Sequence, residues 1–243
     1  MMDAQLNRNL NAFDDLAANE EEMFRWQTQK VKLIEHVLRR IGPIGALADV
    51  GCFTGIATAR YKKLGFNSAV GFEGSEEACA LAATRSIESR RWLIGEGPCP
   101  ANDCEFDVVI AADVIEHLVD TDQFVRELYR ILKPNGRLIV TTPNLAFWLS
   151  RLRLLLGRVP WSYPGASATV KKDGIVDLNH IRITTKSEWE GLFEAHRLVV
   201  HDVQGWSILA AVGRNHMRKL IDRRLTRLPT LAFGLLFLLQ KSQ

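Results

Sequence analysis

The sequence predicts an α/β fold: an open, mostly parallel sheet with helices on both faces. Three observations carry this reading. Short apolar runs alternate with amphipathic stretches in units of about 20 to 35 residues. A glycine-bearing turn, Asp49-Val-Gly-Cys-Phe-Thr-Gly55, joins the first apolar run to a helix-like stretch. An acid, Glu73, closes the next apolar run about twenty residues after the turn.

Taken in order, residues 1–22 are a polar N-terminal extension and residues 23–243 a single domain. Met23 to Arg40 carries Val31, Ile34, Val37, Leu38 and Ile41 at helical spacing, and Gly42-Pro43 stops it. Trp26 on this helix is a packing anchor or a lid residue. Ala46 to Ala48 ends the first strand, and Ile56 to Tyr61 starts a helix. Ser68 to Phe72 is the second strand, followed by a helix from about Glu76 to Arg85. Trp92-Leu93-Ile94 reads as the third strand and Phe106 to Ala112 as a fourth, fully buried one. The next helix gathers Phe124, Val125, Leu128, Ile131 and Leu132 on one face, and Lys133-Pro134-Asn135-Gly136 turns the chain. Arg137 to Thr142 is the fifth strand. Ser187 to Ala195 is a helix with Ser187 as its cap. Leu198-Val199-Val200 and Leu235 to Leu239 are the last two strands. Acceptor-side insertions fall at 144–180 and 205–230.

Right-handed crossovers bring the carboxyl ends of these strands to one edge, and with them Gly51, Glu73, Glu96 and Ala112. Ligands bind such sheets at that edge, where strand order reverses. Glycine removes the Cβ that would block a tight turn or a nucleotide, and a strand-end acid accepts hydrogen bonds from ribose hydroxyls. Turn and acid together make a nucleoside-cofactor site. The Gly-x-Gly-x-x-Gly fingerprint is absent and no Gly-Lys-Ser/Thr follows, which weakens dinucleotide and ATP readings.

Asp-x-Gly-x-x-x-Gly, the strand-end acid, Phe106 to Ile110, Asp113-Val114-Ile115-Glu116-His117 and Leu132 to Gly136 occur in a telling order. In that order the chain resembles the class I S-adenosylmethionine-dependent methyltransferases, in particular the ubiquinone-biosynthesis O-methyltransferase branch, over roughly Leu47 to Pro143. The resemblance implies a Rossmann-like, seven-stranded sheet whose last strand runs antiparallel. It also implies S-adenosyl-L-methionine as cofactor, contacted by Asp49, Gly51, Gly55, Glu73, Glu96 and Ala112. Glu96 follows Gly95 where the family keeps a Gly-Asp that contacts adenine; an exposed loop acid is the plainer reading. Phe53 departs from the family, which often has glycine there, and puts cofactor binding in question.

Methyl transfer to a hydroxyl needs alignment with the donor methyl and a proton acceptor. Asp113 and His117 lie just past the fourth strand, and His180 follows the long loop that overhangs the acceptor pocket in this fold; these three are the catalytic candidates. The resemblance associates an acid-x-x-Glu-His set with a divalent metal, with Asp113 here in the first position. In the plainer reading, Glu116 and His117 hold the loop by backbone hydrogen bonds, and no metal ligand is assigned. The expected function is methylation of a small-molecule acceptor, at oxygen, the acceptor hydrophobic or lipid-linked. The alternative is a catalytically silent protein of this fold that activates a partner enzyme. Thr142 to Gly157, which resembles part of proteins linked to methionine biosynthesis, prompts it.

A formal charge of +3 implies no nucleic acid, and the basic residues are not interleaved with stacking aromatics. No apolar run reaches the roughly 18 residues of a membrane span, and the acidic N-terminus is unlike a signal peptide. Cys52, Cys79, Cys99 and Cys104 form no C-x-x-C pair, which reads as a cytoplasmic protein with reduced thiols. Two leucine-rich segments with interspersed arginines, Arg151 to Arg158 and Arg214 to Leu228, point to peripheral membrane contact; packing on the domain is the plainer reading for the second. Trp148, Trp161 and Tyr163 line an acceptor pocket or simply pack. Acceptor identity and oligomeric state are left open.

Overall fold

A computed structural model describes residues 20–94, 96–160, 180–207 and 216–242, without the side chains of 20–26 and 218. The expected roles of Trp26, Trp161, Tyr163 and Arg214 fall outside it. Helix α1 (Glu20–Ile41) leads into β1 (Ala46–Val50), α2 (Ile56–Lys62), β2 (Ser68–Glu73), α3 (Glu76–Thr84) and β3 (Glu88–Arg91). Then come β4 (Phe106–Ala112), α4 (Thr121–Ile131), β5 (Leu132–Pro143), α5 (Trp148–Leu155), α6 (Lys186–Ala195), β6 (Leu198–Trp206), α7 (His216–Leu225) and β7 (Gly234–Lys241). The seven strands lie in the order β3-β2-β1-β4-β5-β7-β6. All neighbours pair in parallel except β7, which runs antiparallel between β5 and β6.

Each sheet face builds its own core, because successive strand side chains point to opposite faces. Val108 and Ile110 of β4 meet Val31, Ile34, Val37 and Leu38 of α1 on one face. Val109 and Ala111 meet Phe124, Val125 and Leu128 of α4 and Trp189 and Phe193 of α6 on the other. With both faces covered, β4 can be an almost unbroken apolar run. Capping fits the sequence where polar residues precede a helix: Ala78 N–H donates to Ser75 Oγ at 3.1 Å and Gln123 N–H to Asp120 Oδ1 at 2.8 Å.

Four expectations need correction. The third strand is Glu88–Arg91 and not Trp92 to Ile94. It is an edge strand, and charged residues suit an edge that must not recruit another chain; Trp92 instead turns into the core against Phe72 and Phe124. Strand β5 begins at Leu132, and Lys133 to Gly136 bulge from it: Phe106 pairs with Leu132, then Val108 with Arg137. The N-cap of α6 is Thr185, and Ser187 lies inside the helix. Finally, the apolar side of α7 does not pack on the domain: Met217, Leu220 and Ile221 are exposed. Among its described side chains the buried one is Asp222.

Strand β1 pairs with β2 on one side and β4 on the other, so chain order reverses around it. The turn after β1, Glu73 at the end of β2 and Ala112 at the end of β4 therefore share one sheet edge.

Candidate active site

The first half of the site is the turn after β1. Gly51 and Gly55 both sit at φ +74°, in left-handed geometry that glycine adopts without strain. A Cβ on Gly51 would come within 2.6 Å of Val114 Cγ2. Gly51 N–H donates to Phe72 O at 2.8 Å and ties the turn to β2. Phe53 also has positive φ, +50°, which accounts for the family's glycine at that place. Glu73 is buried and faces this turn: its Oε2 accepts from Phe53 N–H at 2.9 Å, and its Oε1 from Gly74 N–H at 2.7 Å and Ser75 N–H at 3.0 Å. These bonds fix the carboxylate at the mouth of the turn, the place of a strand-end acid that meets a nucleoside. Asp49 is buried beneath the turn and accepts from Thr58 Oγ1 at 2.6 Å. Burial pushes its pKa up to about 6, against the opposing pull of Thr58 and Lys30.

The second half lies past β4. Asp113, at φ +56°, accepts from Thr141 Oγ1 at 2.7 Å and from Lys30 Nζ at 2.5 Å. Burial alone would raise its pKa, but the charge and hydrogen bond of Lys30, with Thr141, hold the carboxyl below its usual range. Lys30 is itself buried, with Nζ 6.0 Å from the Trp206 ring centroid. Ile115–His117 form one 3₁₀ turn. Ile181 and Arg182 donate backbone N–H groups to Glu116 O at 2.8 and 2.9 Å, and the Arg182 guanidinium bonds Val119 O. This clasp sets His180 against His117, with ring centroids 4.9 Å apart. Glu116 is fully buried, and burial, followed by the charge of Asp113, raises its pKa well above the ordinary carboxyl value. Among the described residues neither Glu116 carboxylate oxygen has a hydrogen-bond partner. Ligand atoms of Glu116, His117 and His180 all lie within 4.8 Å of one another.

Asp49, Gly51, Gly55 and Glu73 thus converge with Ala112, and Asp113 stands directly beyond. His117 and His180 meet although far apart in sequence. Glu96 lies exposed on the loop past β3. Sequence reasoning missed Lys30 and Thr58. Lys30 had a readable signal, since with Ile34 and Leu38 it occupies i, i+4, i+8 on the apolar stripe of α1, where a solvated lysine does not belong. Thr58, on the turn's own helix, had none.

Residues 48–140 match a family model described as a methyltransferase domain. The ubiquinone biosynthesis O-methyltransferase of Caulobacter vibrioides is 33% identical over 108 residues, 40% of this chain and 40% of that protein. The Rickettsia prowazekii protein of the same name is 29% identical over 155 residues, 60% and 62% of the two chains. The matched stretch therefore spans less than two thirds of each relative's length. Among solved structures, a putative methyltransferase in complex with the Haloferax volcanii Trm112 activator has TM-score 0.67 at 16% identity, over 95% of this chain and 98% of that one. A Thermotoga maritima protein described as a possible histamine N-methyltransferase has TM-score 0.65 at 17% identity, over 96% and 100%. At such identities the structures establish the fold alone.

Proposed function

We propose that residues 48–140, which match a methyltransferase-domain model, are a class I methyltransferase domain, and that the whole protein transfers a methyl group from S-adenosylmethionine to an oxygen of a small, apolar acceptor. The observation that carries the reading is Glu73, a buried carboxylate held at the mouth of a glycine turn by the Phe53 N–H. When bound, the cofactor supplies an electrophilic methyl on a sulfonium. Glu73 holds the ribose hydroxyls, and the Gly51 to Gly55 backbone lets the nucleoside approach. Asp49 and Glu73 set a negative field that suits a cationic donor. The edge beside Ala112 is where donor and acceptor would meet, and Glu96, exposed on the loop past β3, would contact the adenine.

On the acceptor side His180 takes the hydroxyl proton, worth about 10²–10⁴ in rate, and His117 packs beside it to fix its ring. Asp113, clamped by Lys30 and Thr141, stays ionised and supports the positive charge His180 acquires. Alignment of acceptor and methyl contributes more, on the order of 7–11 kcal/mol in well-oriented systems. Calorimetry with S-adenosylmethionine tests the cofactor half: Glu73→Ala should weaken binding at least about tenfold, as for a lost charge-assisted hydrogen bond. Unchanged affinity would remove the basis of the proposal. On the acceptor side, His180→Ala should cut turnover and leave cofactor affinity intact.

A second reading of the acceptor side is favoured by the orphaned carboxylate of Glu116 beside two imidazoles, a donor set that fits a divalent cation. Glu116, His117 and His180 would hold it, and it would supply Lewis acidity toward the acceptor oxygen. Turnover that survives chelator supports His180 as the proton acceptor; turnover lost in chelator and restored by a divalent cation supports the cation. The silent, partner-activating alternative is not favoured, since the relatives are named as transferases.

A further inference from the structure

Among the described residues, nine of the thirteen exposed large hydrophobic side chains fall on two segments. Leu152, Leu154, Leu155, Leu156 and Val159 belong to α5 and its exit; Met217, Leu220, Ile221 and Leu228 belong to α7 and its exit. The two helices are joined at one internal node, where Trp148 Nε1 donates to Asp222 Oδ1 at 2.9 Å and Ser207 Oγ donates to Asp222 Oδ2. Beyond Ser150, α5 leaves the body of the protein and nearly every side chain is exposed.

Cations are interspersed with these leucines: Arg151, Arg153 and Arg158 on the first segment, Lys219, Arg223, Arg224 and Arg227 on the second. The hydrogen bonds of Arg151 and Arg153 go to backbone carbonyls of Ala146, Thr230 and Val159. Among the described residues no salt bridge joins these arginines to a carboxylate. Residues 144–160 contain no acid, and the one acid of 216–231, Asp222, is turned inward and buried. At the end of α5 an open hollow of about 540 Å³ is lined by Leu145, Leu154, Val159 and Pro160 with Arg158 at its wall.

We propose that α5 and α7 together dock this protein on an anionic lipid bilayer surface. Leucine and methionine side chains at the height of the acyl boundary, with arginines among them for the phosphates, are what an interfacial amphipathic helix presents. A guanidinium beside an apolar hollow mirrors a lipid's charged head and hydrocarbon chain. A second copy of the chain would set arginine against arginine, at a repulsive cost. A nucleic acid would use the cations and leave the exposed leucines in water. The docking does not depend on the proposed methyl transfer, because it is read without turnover.

Co-sedimentation of the full chain with vesicles tests it, using phosphatidylcholine alone and equal parts phosphatidylcholine and phosphatidylglycerol. Binding to the mixed vesicles should be at least about tenfold tighter than to the neutral ones and should fall with added salt. Arg223→Gln/Arg224→Gln and Leu155→Asn/Leu156→Asn should each lower it about tenfold with the melting temperature unchanged. All four positions are exposed, so neither pair should disturb folding. Equal binding to both vesicles, no binding to either, or full binding by the combined variant would overturn the proposal. So would light scattering that finds a dimer dispersed by these substitutions in a protein that ignores vesicles.

Discussion

Asp49 carries a cost that its position explains. Its carboxylate is buried, and its pKa of about 6 lies above the ordinary aspartate value of 3.8. Without ligand, the folded protein therefore holds a proton that the unfolded chain releases between those two values. Stability from this group is present below the unfolded pKa and lost as pH rises through about 6. Asp49→Asn should accordingly raise the stability of the ligand-free protein at pH 7 by about 1–3 kcal/mol. The gain should shrink through pH 6 and vanish near the unfolded value, as thermal melts across pH will check. The same variant should bind S-adenosylmethionine poorly, and wild-type affinity should fall about tenfold from pH 7 to pH 5 as the carboxylate protonates. Phe53 offers a separate test of the turn. Its positive φ makes Phe53→Gly more stable than Phe53→Ala by about 1 kcal/mol, measurable by urea unfolding. The turn and Glu73 were legible in the sequence because both are local patterns. The His117–His180 pair was not, because a backbone clasp to Glu116 O, made across a long separation, brings the two rings together.

At the scale of elements, α1 is a covering helix that also enters the site. Val31, Ile34, Val37 and Leu38 hold it to the sheet, and Lys30 delivers a buried ammonium to Asp113. Arg60 of α2 reinforces the attachment through Glu35 at 2.7 Å, a pair in which the carboxylate is buried and the guanidinium reaches solvent. Lys30→Met would leave the Asp113 carboxylate without its cation. The loss should be about 2–3 kcal/mol, below the range for fully buried pairs because Asp113 keeps some exposure. Lys30→Arg should recover part of it, as chemical denaturation will report. The helix itself was readable from its apolar period. Strand β3 was not, because Glu-Ser-Arg-Arg has neither alternation nor apolar content, and pairing with β2 alone makes it a strand. For α7 the sequence left both packing and exposure open, since periodicity identifies an apolar stripe without saying what covers it.

Across the whole molecule, the sheet is completed by its last strand. β7 contributes Leu235, Leu236, Phe237 and Leu239, all fully buried and shared between the two cores. Lys241 then donates to Tyr129 O at 2.8 Å and Leu132 O at 2.7 Å, closing the carboxyl end of α4. A chain cut before Gly234 should lose the cooperative unfolding transition seen by circular dichroism, because β6 meets the sheet through β7. The alternation of strands and helices made the doubly covered sheet legible, whereas the antiparallel sense of β7 came from resemblance. An apolar run such as Leu-Leu-Phe-Leu-Leu carries no direction of its own.

That late strand has a consequence at the ribosome. By the time β6 emerges, the parallel portion of the sheet is complete, yet β6 has nothing to bond with, and the outer rim of β5 offers unpaired amides and carbonyls. Until residues 234–241 clear the exit tunnel and slide into that gap, the nascent chain is a sticky half-product that chaperones would be expected to guard.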